Sequence, residues 1–228
     1  MKKFAVIVAG GSGQRMGTAK PKQFLFLRDR PVLWYSISVF LEAFEDILIK
    51  LVLPEEYIFL GEELKAAFKE KSENIQVVAG GLTRFQSVKN GLQLTEPDSV
   101  VFVHDGVRCL VSKELIRNCY NLALTAGSAI PAIAATDSIR IVKDGLHSVA
   151  NRNNVRIIQT PQTFLTNIIL PAFDQEYNPA FTDEATVVEA IGTPVFLIEG
   201  EFQNIKITRP IDLLIAEKIL EERALSLQ

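Results

Sequence analysis

Residues 4–17 read FAVIVAGGSGQRMG, an unbroken apolar run that stops at three closely spaced glycines. A continuous apolar run is typical of a central strand in a parallel sheet, buried on both faces. Because glycine has no Cβ, the chain after this strand can wrap closely around a ligand and turn its N–H groups inward. Arg15 and Lys22 follow within one loop length. Amide donors and cations on a glycine-rich turn predict a polyphosphate-binding loop.

Two better-known glycine loops do not fit this stretch. A Walker A loop needs a second glycine followed by Lys and Ser or Thr, and that spacing is missing here. A dinucleotide-binding loop needs a glycine where Met16 stands and an acid about twenty residues later. The next strand ends near residues 54–55, about twice that distance from the loop, so NAD is not expected. The remaining alternative is a tight turn without a ligand, which Arg15 and Lys22 make less attractive.

Length and composition indicate a single α/β domain over residues 1–228, 48% apolar and 22% charged. The net charge of −3 comes from 24 basic and 27 acidic residues, so no basic excess predicts binding to nucleic acid. No apolar stretch is long enough to span a bilayer, so we expect no membrane association. Cys109 and Cys119 show neither metal-ligand nor disulfide spacing. These features favour a cytoplasmic protein.

Apolar runs alternate with amphipathic segments along most of the chain, which is typical of strands alternating with helices. The prediction is a Rossmann-like three-layer α/β/α sandwich with a mainly parallel sheet and an inserted β-hairpin arm. The expected strands are 4–9, 47–53, 75–79, 100–104, 129–134, 157–159 and 195–198, with a short extended segment at 205–207. The expected helices are 31–44, 55–71, one through 88–92, 112–126, 165–173, 182–191 and one from residue 210.

The arm covers about residues 137–155. Residues 138–142 and 146–149 flank Asp144-Gly145, a pair that favours a tight primed turn between two strands. A lone hairpin is only marginally stable in water. We therefore expect the arm to pack on its own domain or on the same arm of a second subunit.

Polar residues follow several predicted strands, where ligands bind in open α/β sheets. Gly81 leaves room for a flat ring and Ser87 can hydrogen-bond to its edge, although a plain loop and helix cap would look the same. Asp105 ends a strand facing the glycine loop, which suits a carboxylate that holds Mg²⁺. The simpler alternative is an ion pair between Asp105 and Arg108. His104 alternates away from Asp105 along the strand and is expected to be structural.

After the glycine loop, the loop with Gly81 and Ser87, and the strand end at Asp105, a fourth cluster of polar residues is scattered along the sequence. It is predicted to bind a smaller phosphorylated polyol. Its members are Arg152, Lys206 and the hydroxyls of Ser138 and Thr182. The alternative for residues 182–184 is a helix N-cap followed by acids in the first turn. Both uses are compatible with the sequence.

Taken together, the motifs resemble those of the 2-C-methyl-D-erythritol 4-phosphate cytidylyltransferase family. Six motifs run in the family's order from about residue 4 to residue 222. They are residues 9–17 with 21–23, 81–92, 103–108, 159–162 (QTPQ), 182–185 (TDEA) and 204–210 (NIKITRP). Leu82 stands where the family commonly has an acidic or polar residue, and Asn151 stands where aspartate is common. Cys109 replaces a proline, and Ser138 replaces a threonine while keeping a hydroxyl.

The resemblance implies transfer of CMP from CTP to 2-C-methyl-D-erythritol 4-phosphate, with Mg²⁺ as cofactor and pyrophosphate as the other product. It places transition-state stabilisation on Arg15 and Lys22 and the metal on Asp105. Implied nucleotide contacts are Ala9, Gly10, Gly11, Ser12, Gly13, Gly81, Ser87 and Gly106. Implied contacts to the second substrate are Arg108, Ser138, Arg152, Thr160, Thr182 and Lys206. It also implies a homodimer whose arms reach across, so that Arg152 serves the neighbouring site.

Two alternatives remain at this point. A ribitol 5-phosphate cytidylyltransferase shares the glycine loop and the Thr-Pro-Gln motif, but Ser87 and residues 208–210 resemble the isoprenoid enzyme more closely. A non-catalytic nucleotide-binding regulator on the same fold is also conceivable, since fold does not fix function. Such a regulator would be expected to lose Lys22 or Asp105, and both are present.

Overall fold

The computed structural model describes residues 1–10 and 21–225. In this part of the chain the strands are β1 (Lys3–Val8), β2 (Phe26–Leu27), β3 (Arg30–Pro31), β4 (Ile47–Leu53), β5 (Ile75–Ala79), β6 (Val100–Asp105), β7 (Ser128–Ala134), β8 (Ile139–Lys143), β9 (Leu146–Ala150), β10 (Arg156–Ile158), β11 (Gln162–Leu165) and β12 (Leu197–Glu199). The α-helices are α1 (Val32–Ala43), α2 (Ile58–Ala66), α3 (Arg84–Leu92), α4 (Lys113–Ala126), α5 (Thr166–Ala172), α6 (Glu184–Ala190) and α7 (Pro210–Leu225).

The main sheet is mixed but mostly parallel. Its order is β10-β7-β11-β6-β1-β4-β5, with β12 beside β7. Strand β1 lies between β4 and β6 and pairs with both in parallel. Strand β11 runs antiparallel to β6 and β7 on either side of it. The carboxyl ends of β1, β4, β5 and β6 therefore meet at one edge of the sheet.

Strand β1 explains why the first apolar run is unbroken. Ala5 and Ile7 pack into the layer that contains α1 and α4, whereas Val6 and Val8 pack into the layer that contains α3 and α6. Because side chains alternate along a strand, a strand with helices on both faces needs apolar residues at every position. The predicted three-layer α/β/α architecture is confirmed.

The secondary structure differs from expectation in two places. The predicted helix over residues 55–71 is α-helical only in α2, and Lys69 follows it with a φ of 52° that no right-handed helix adopts. Strand β11 was not expected, because four residues after a proline give too short a pattern to recognise. Residues 205–207, expected as a short extended segment, are assigned to no strand, and the Ile207 N–H donates to the Val107 carbonyl at 2.9 Å.

The hairpin arm has the expected register and turn. Strands β8 and β9 pair antiparallel, and Asp144 and Gly145 between them have positive φ values of 50° and 78°. The arm forms a separate two-stranded sheet, and among the described residues neither strand pairs with the main sheet. Large apolar side chains on it are exposed, including Val142 at 71% and Leu146 at 77%. Packing on its own domain, one of the two expectations, is not observed for these side chains.

The search for membrane-spanning helices covered residues 1–10 and 21–225, and none there is both long and apolar enough to cross a bilayer.

Candidate active site

A cavity of about 350 Å³ opens at the sheet edge where β1, β5 and β6 end. Seven of the predicted site residues line it: Ala9, Gly10, Lys22, Gly81, Ser87, Asp105 and Lys206. They come from five separate places in the sequence, so the parallel strand ends do bring the predicted clusters together. Gly11, Ser12, Gly13 and Arg15 lie outside the described residues.

The wall nearest β1 carries Lys22. This residue opens a short 3-10 turn, Lys22–Phe24, and its side chain is buried against the cavity. The next residue, Gln23, donates from Nε2 to the Ala9 carbonyl at 2.7 Å. That bond fastens the segment after the glycine loop to the strand that precedes the loop, and so fixes where Lys22 stands.

The opposite wall is the start of α3. Thr83 and Gln86 form a capping box, in which the Gln86 N–H donates to the Thr83 hydroxyl at 3.1 Å. The Ser87 hydroxyl accepts from the Gly81 N–H at 3.1 Å and donates to the Thr83 carbonyl at 3.0 Å. The loop-and-cap interpretation is therefore correct as a description of local structure. Because Gly81 and Ser87 also line the cavity, it does not compete with a role in binding a base.

Asp105 lies at the cavity floor among three cations. Its Oδ2 atom is 2.8 Å from Lys206 Nζ and 3.6 Å from Arg108 Nε, and its Oδ1 atom is 3.3 Å from Arg84 Nη2. Burial on its own raises the pKa of Asp105, but Arg84 and Lys206 outweigh burial and hold that pKa well below its usual range. The expected Asp105–Arg108 pair exists, but it is one of three contacts and the carboxylate still faces the cavity.

His104 and Thr160 support Asp105 from behind. The His104 Nε2 atom lies 3.1 Å from the Arg108 carbonyl, and its Nδ1 atom lies 3.0 Å from the Thr160 hydroxyl. That hydroxyl also accepts from the Asp105 N–H at 3.0 Å. Burial lowers the pKa of His104 to about 4, so the ring is neutral at physiological pH. His104 is structural, as expected, and the Thr160 hydroxyl is engaged outside the cavity.

Arg84 and Glu184 are important residues to which the sequence analysis gave no role. Both residues lie inside motifs that the sequence analysis recognised. Their side chains are in contact, although the two residues are 100 positions apart in the sequence. Arg84 Nη1 bonds to Glu184 Oε1, and Nη2 donates to Oε2 at 3.1 Å. Burial raises the pKa of Glu184 against the opposing effect of Arg84. The missed signal was an acid in the first turn of α6, which the favourable interaction of an acid with the helix dipole explained equally well.

Several predicted substrate contacts lie away from the cavity. Thr182 is exposed beside α6, whose N-cap is Asp183. Ser138 and Arg152 are exposed on and beside the arm, where Arg152 Nη1 donates to the Thr136 carbonyl at 2.8 Å. Arg108 Nη1 donates to the Asn204 carbonyl at 2.8 Å. Within one chain the fourth cluster is thus represented in the cavity by Lys206 alone among the described members.

Gly106 is needed for packing rather than for direct access to the cavity. A Cβ at this position would lie 2.8 Å from the Leu33 side chain. Its N–H donates to the Val8 carbonyl at 2.9 Å, and its carbonyl accepts from the Ser36 hydroxyl at the same distance. These bonds hold the ends of β1 and β6 together next to Asp105.

The chemistry of the cavity is that of an anion receptor with one carboxylate. Burial raises the pKa of both cysteine thiols, Cys109 and Cys119, to about 12, so neither is a thiolate nucleophile at neutral pH. Within residues 1–10 and 21–225 there is no group of three or more His, Cys, Asp or Glu side chains that would hold a metal alone. Cations around a single acid suit alignment and charge neutralisation of a polyphosphate.

Comparison with known proteins gives one consistent answer. Residues 4–222 match the family model described as IspD, 2-C-methyl-D-erythritol 4-phosphate cytidylyltransferase. A relative of that name from Bacteroides fragilis is 43% identical over 222 residues, covering 96% of this chain and 100% of its own. Another from Clostridium botulinum is 38% identical, covering 95% and 98%. The solved 4-diphosphocytidyl-2C-methyl-D-erythritol synthase of Anaerococcus prevotii superimposes with a TM-score of 0.81 at 28% identity, covering 96% and 98%.

Proposed function

Because this chain belongs to the 2-C-methyl-D-erythritol 4-phosphate cytidylyltransferase family, it transfers CMP from CTP to methylerythritol phosphate, and we propose that CTP binds in the cavity described above. The observation that carries the proposal is the convergence of Lys22, Asp105 and Lys206 with Gly81 and Ser87 around one space of about 350 Å³. Cations line one part of this space and the α3 cap lines another.

The cavity suggests a division of labour along the nucleotide. We assign the base to Gly81 and Ser87, where a residue without a side chain stands next to a hydroxyl. The triphosphate would follow Ala9 and Gly10 into the glycine loop, with Gly106 packed behind them. Lys22 and Arg15 would neutralise charge that builds up on the α-phosphate and on the departing pyrophosphate.

The reaction needs no nucleophilic side chain. An oxygen of the methylerythritol phosphate attacks the α-phosphorus of CTP in line, a P–O bond forms, and the bond to the leaving pyrophosphate breaks. The attacking phosphate monoester has its second pKa near 6, so it is largely dianionic at neutral pH. The protein's task is to hold two polyanions together, which explains the excess of cations around Asp105.

The residues fit a Mg²⁺ ion that arrives with the nucleotide. Mg²⁺ is usually bound by one or two carboxylates together with substrate phosphates and water. Asp105 is anionic and faces the cavity, and it is a suitable single carboxylate for this purpose. When bound there, the ion would offset phosphate charge during the transfer.

The second substrate's phosphate is assigned to Lys206 in the cavity and to Thr182, with Ser138 and Arg152 of the arm completing the pocket from a second subunit. Arg108 and Thr160 would act from behind, through Asp105 and the backbone. The exposed apolar side chains of the arm support a homodimer, since burying them requires a partner. Free Cys109 and Cys119 thiols support a reducing compartment, the cytoplasm.

Pyrophosphate release under a matrix of substrates tests the proposal. We expect turnover with CTP and methylerythritol phosphate, and at most about one hundredth of that rate with ATP, GTP or UTP, or with ribitol 5-phosphate as acceptor. A crystal soaked with CTP should show the base against Gly81 and Ser87. Density for CTP away from this cavity in an active enzyme would overturn the site assignment.

A further inference from the structure

Arg84 joins two acids that come from distant parts of the chain. It is the first residue of α3, and its guanidinium faces Glu184 at the start of α6 and Asp105 at the end of β6. Nη2 donates both to Glu184 Oε2 at 3.1 Å and to Asp105 Oδ1 at 3.3 Å, while Nη1 is taken up by Glu184. One nitrogen therefore bridges the two carboxylates.

Glu184 is the fixed end of this bridge. Its side chain is only 1% exposed, and within residues 1–10 and 21–225 Arg84 is its sole hydrogen-bond donor. A buried carboxylate needs a cation beside it, and a planar guanidinium bound through two nitrogens has little freedom to turn. Glu184 thus determines where the Arg84 fork points.

Asp105 receives Arg84 on a different oxygen from its other cations. Lys206 and Arg108 both lie nearest to Oδ2, whereas Oδ1 faces Arg84 Nη2 at 3.3 Å. Lys206 is partly exposed and is assigned above to a substrate phosphate. When Lys206 turns to substrate, Arg108 stays beside Oδ2 and Arg84 holds Oδ1, so Arg84 sets the direction of the second oxygen.

We propose that Arg84, anchored by Glu184, is a positioning residue that orients the Asp105 carboxylate for the metal–nucleotide complex. This inference rests on the proposed role of Asp105 as the Mg²⁺ ligand. Arg84 acts on the metal-dependent part of nucleotide binding and not on recognition of the base or of the second substrate. Lysine cannot replace it, since a single ammonium group lacks the two-pronged geometry that reaches both acids.

Calorimetric titration with a non-hydrolysable methylene analogue of CTP, in Mg²⁺ and in EDTA, isolates that step. We expect Arg84→Lys and Glu184→Gln each to weaken binding in Mg²⁺ about tenfold, while binding in EDTA changes less than about twofold. The Mg²⁺ concentration for half-maximal activity should rise and KM for methylerythritol phosphate should stay within about twofold. Arg223→Lys, which alters an arginine bonded to Leu110 and Gln203 elsewhere, is the matched control and should change none of these values.

A double variant and Asp105→Asn separate the possible results. Arg84→Lys with Glu184→Gln should bind no more weakly than either single variant, because both changes act through one bridge. If Asp105→Asn leaves the gain from Mg²⁺ intact, the proposed metal site is wrong. If Asp105→Asn abolishes the increase in nucleotide affinity caused by Mg²⁺ but Arg84→Lys retains that increase, the metal site at Asp105 is supported. The positioning role of Arg84 is then overturned. Should Glu184→Gln fail to fold, Arg84→Lys alone decides, because the Mg²⁺-to-EDTA ratio of a folded protein does not follow its stability.

Discussion

The cavity floor and the hairpin arm differ in whether their side chains find partners within one chain. At the floor, Asp105 and Glu184 are buried and each is matched by cations from other elements. On the arm, β8 and β9 pair only with each other among the described residues, and Val142 and Leu146 are exposed. The floor is complete within one chain and the arm is not. The contacts of the cavity floor can be described from a single chain. The exposed apolar side chains of the arm are instead consistent with the contact to a second subunit proposed above.

The strongest test of the floor is Lys22→Ala. Because Lys22 lines the cavity and would neutralise charge formed in transfer, we expect turnover to fall by about 10² to 10³, or about 3–4 kcal/mol of barrier. Single-turnover measurement of pyrophosphate release would give the value. Lys65→Ala, which removes a lysine from α2, should leave turnover unchanged. Near-normal turnover of Lys22→Ala would remove Lys22 from catalysis.

The arm is tested by Val142→Asp. If the arm buries Val142 against a second subunit, the new carboxylate should raise the dimer dissociation constant roughly 10- to 100-fold. Light scattering at micromolar concentration would detect the resulting monomer. Phe59→Asp places the same charge on a comparably exposed apolar residue of α2 and should not affect association. A Val142→Asp protein that remains dimeric would show that the arm does not form the interface.

The smallest expected effect is a difference in the free energy of unfolding between matched substitutions in strand β1 and in the arm. Ile7→Val removes one methylene group from a fully buried position, so we expect a loss of about 0.5–1.5 kcal/mol in the free energy of unfolding. Ile141→Val makes the identical change on the arm, at a side chain that is 60% exposed, and should stay within about 0.5 kcal/mol. Urea denaturation of both variants provides the comparison. Equal losses would mean that the arm is buried as deeply as β1.

The sequence was sufficient to predict helices and strands whose ends coincide with a change in the local residue pattern. Strands β4 and β5 were predicted to the residue, and the predicted start of the helix over 112–126 is confirmed by Ser112, the N-cap of α4, which accepts from the Leu115 N–H at 2.9 Å. Strand β11 escaped because its existence depends on the gap between β6 and β7, which no local pattern reveals.

The site follows the same rule. Residues at strand ends converged as predicted, because sheet topology alone brings them together. The Arg84–Glu184 bridge was missed because it forms only after α3 and α6 have packed on the same face of the sheet. Ser138 and Arg152 stay apart from the cavity in one chain, so their assignment as substrate contacts remains a prediction about a dimer.

Strand β1 supports both helical layers and leads directly into the cavity wall. Ala5 and Ile7 serve one layer, Val6 and Val8 the other, and Ala9 continues directly into the cavity wall. A mutation that loosens either layer should therefore also disturb the cavity in which we propose that the triphosphate binds. Substitutions in this strand are expected to change thermal stability and turnover together. Variants selected for heat tolerance should therefore carry their substitutions in other elements.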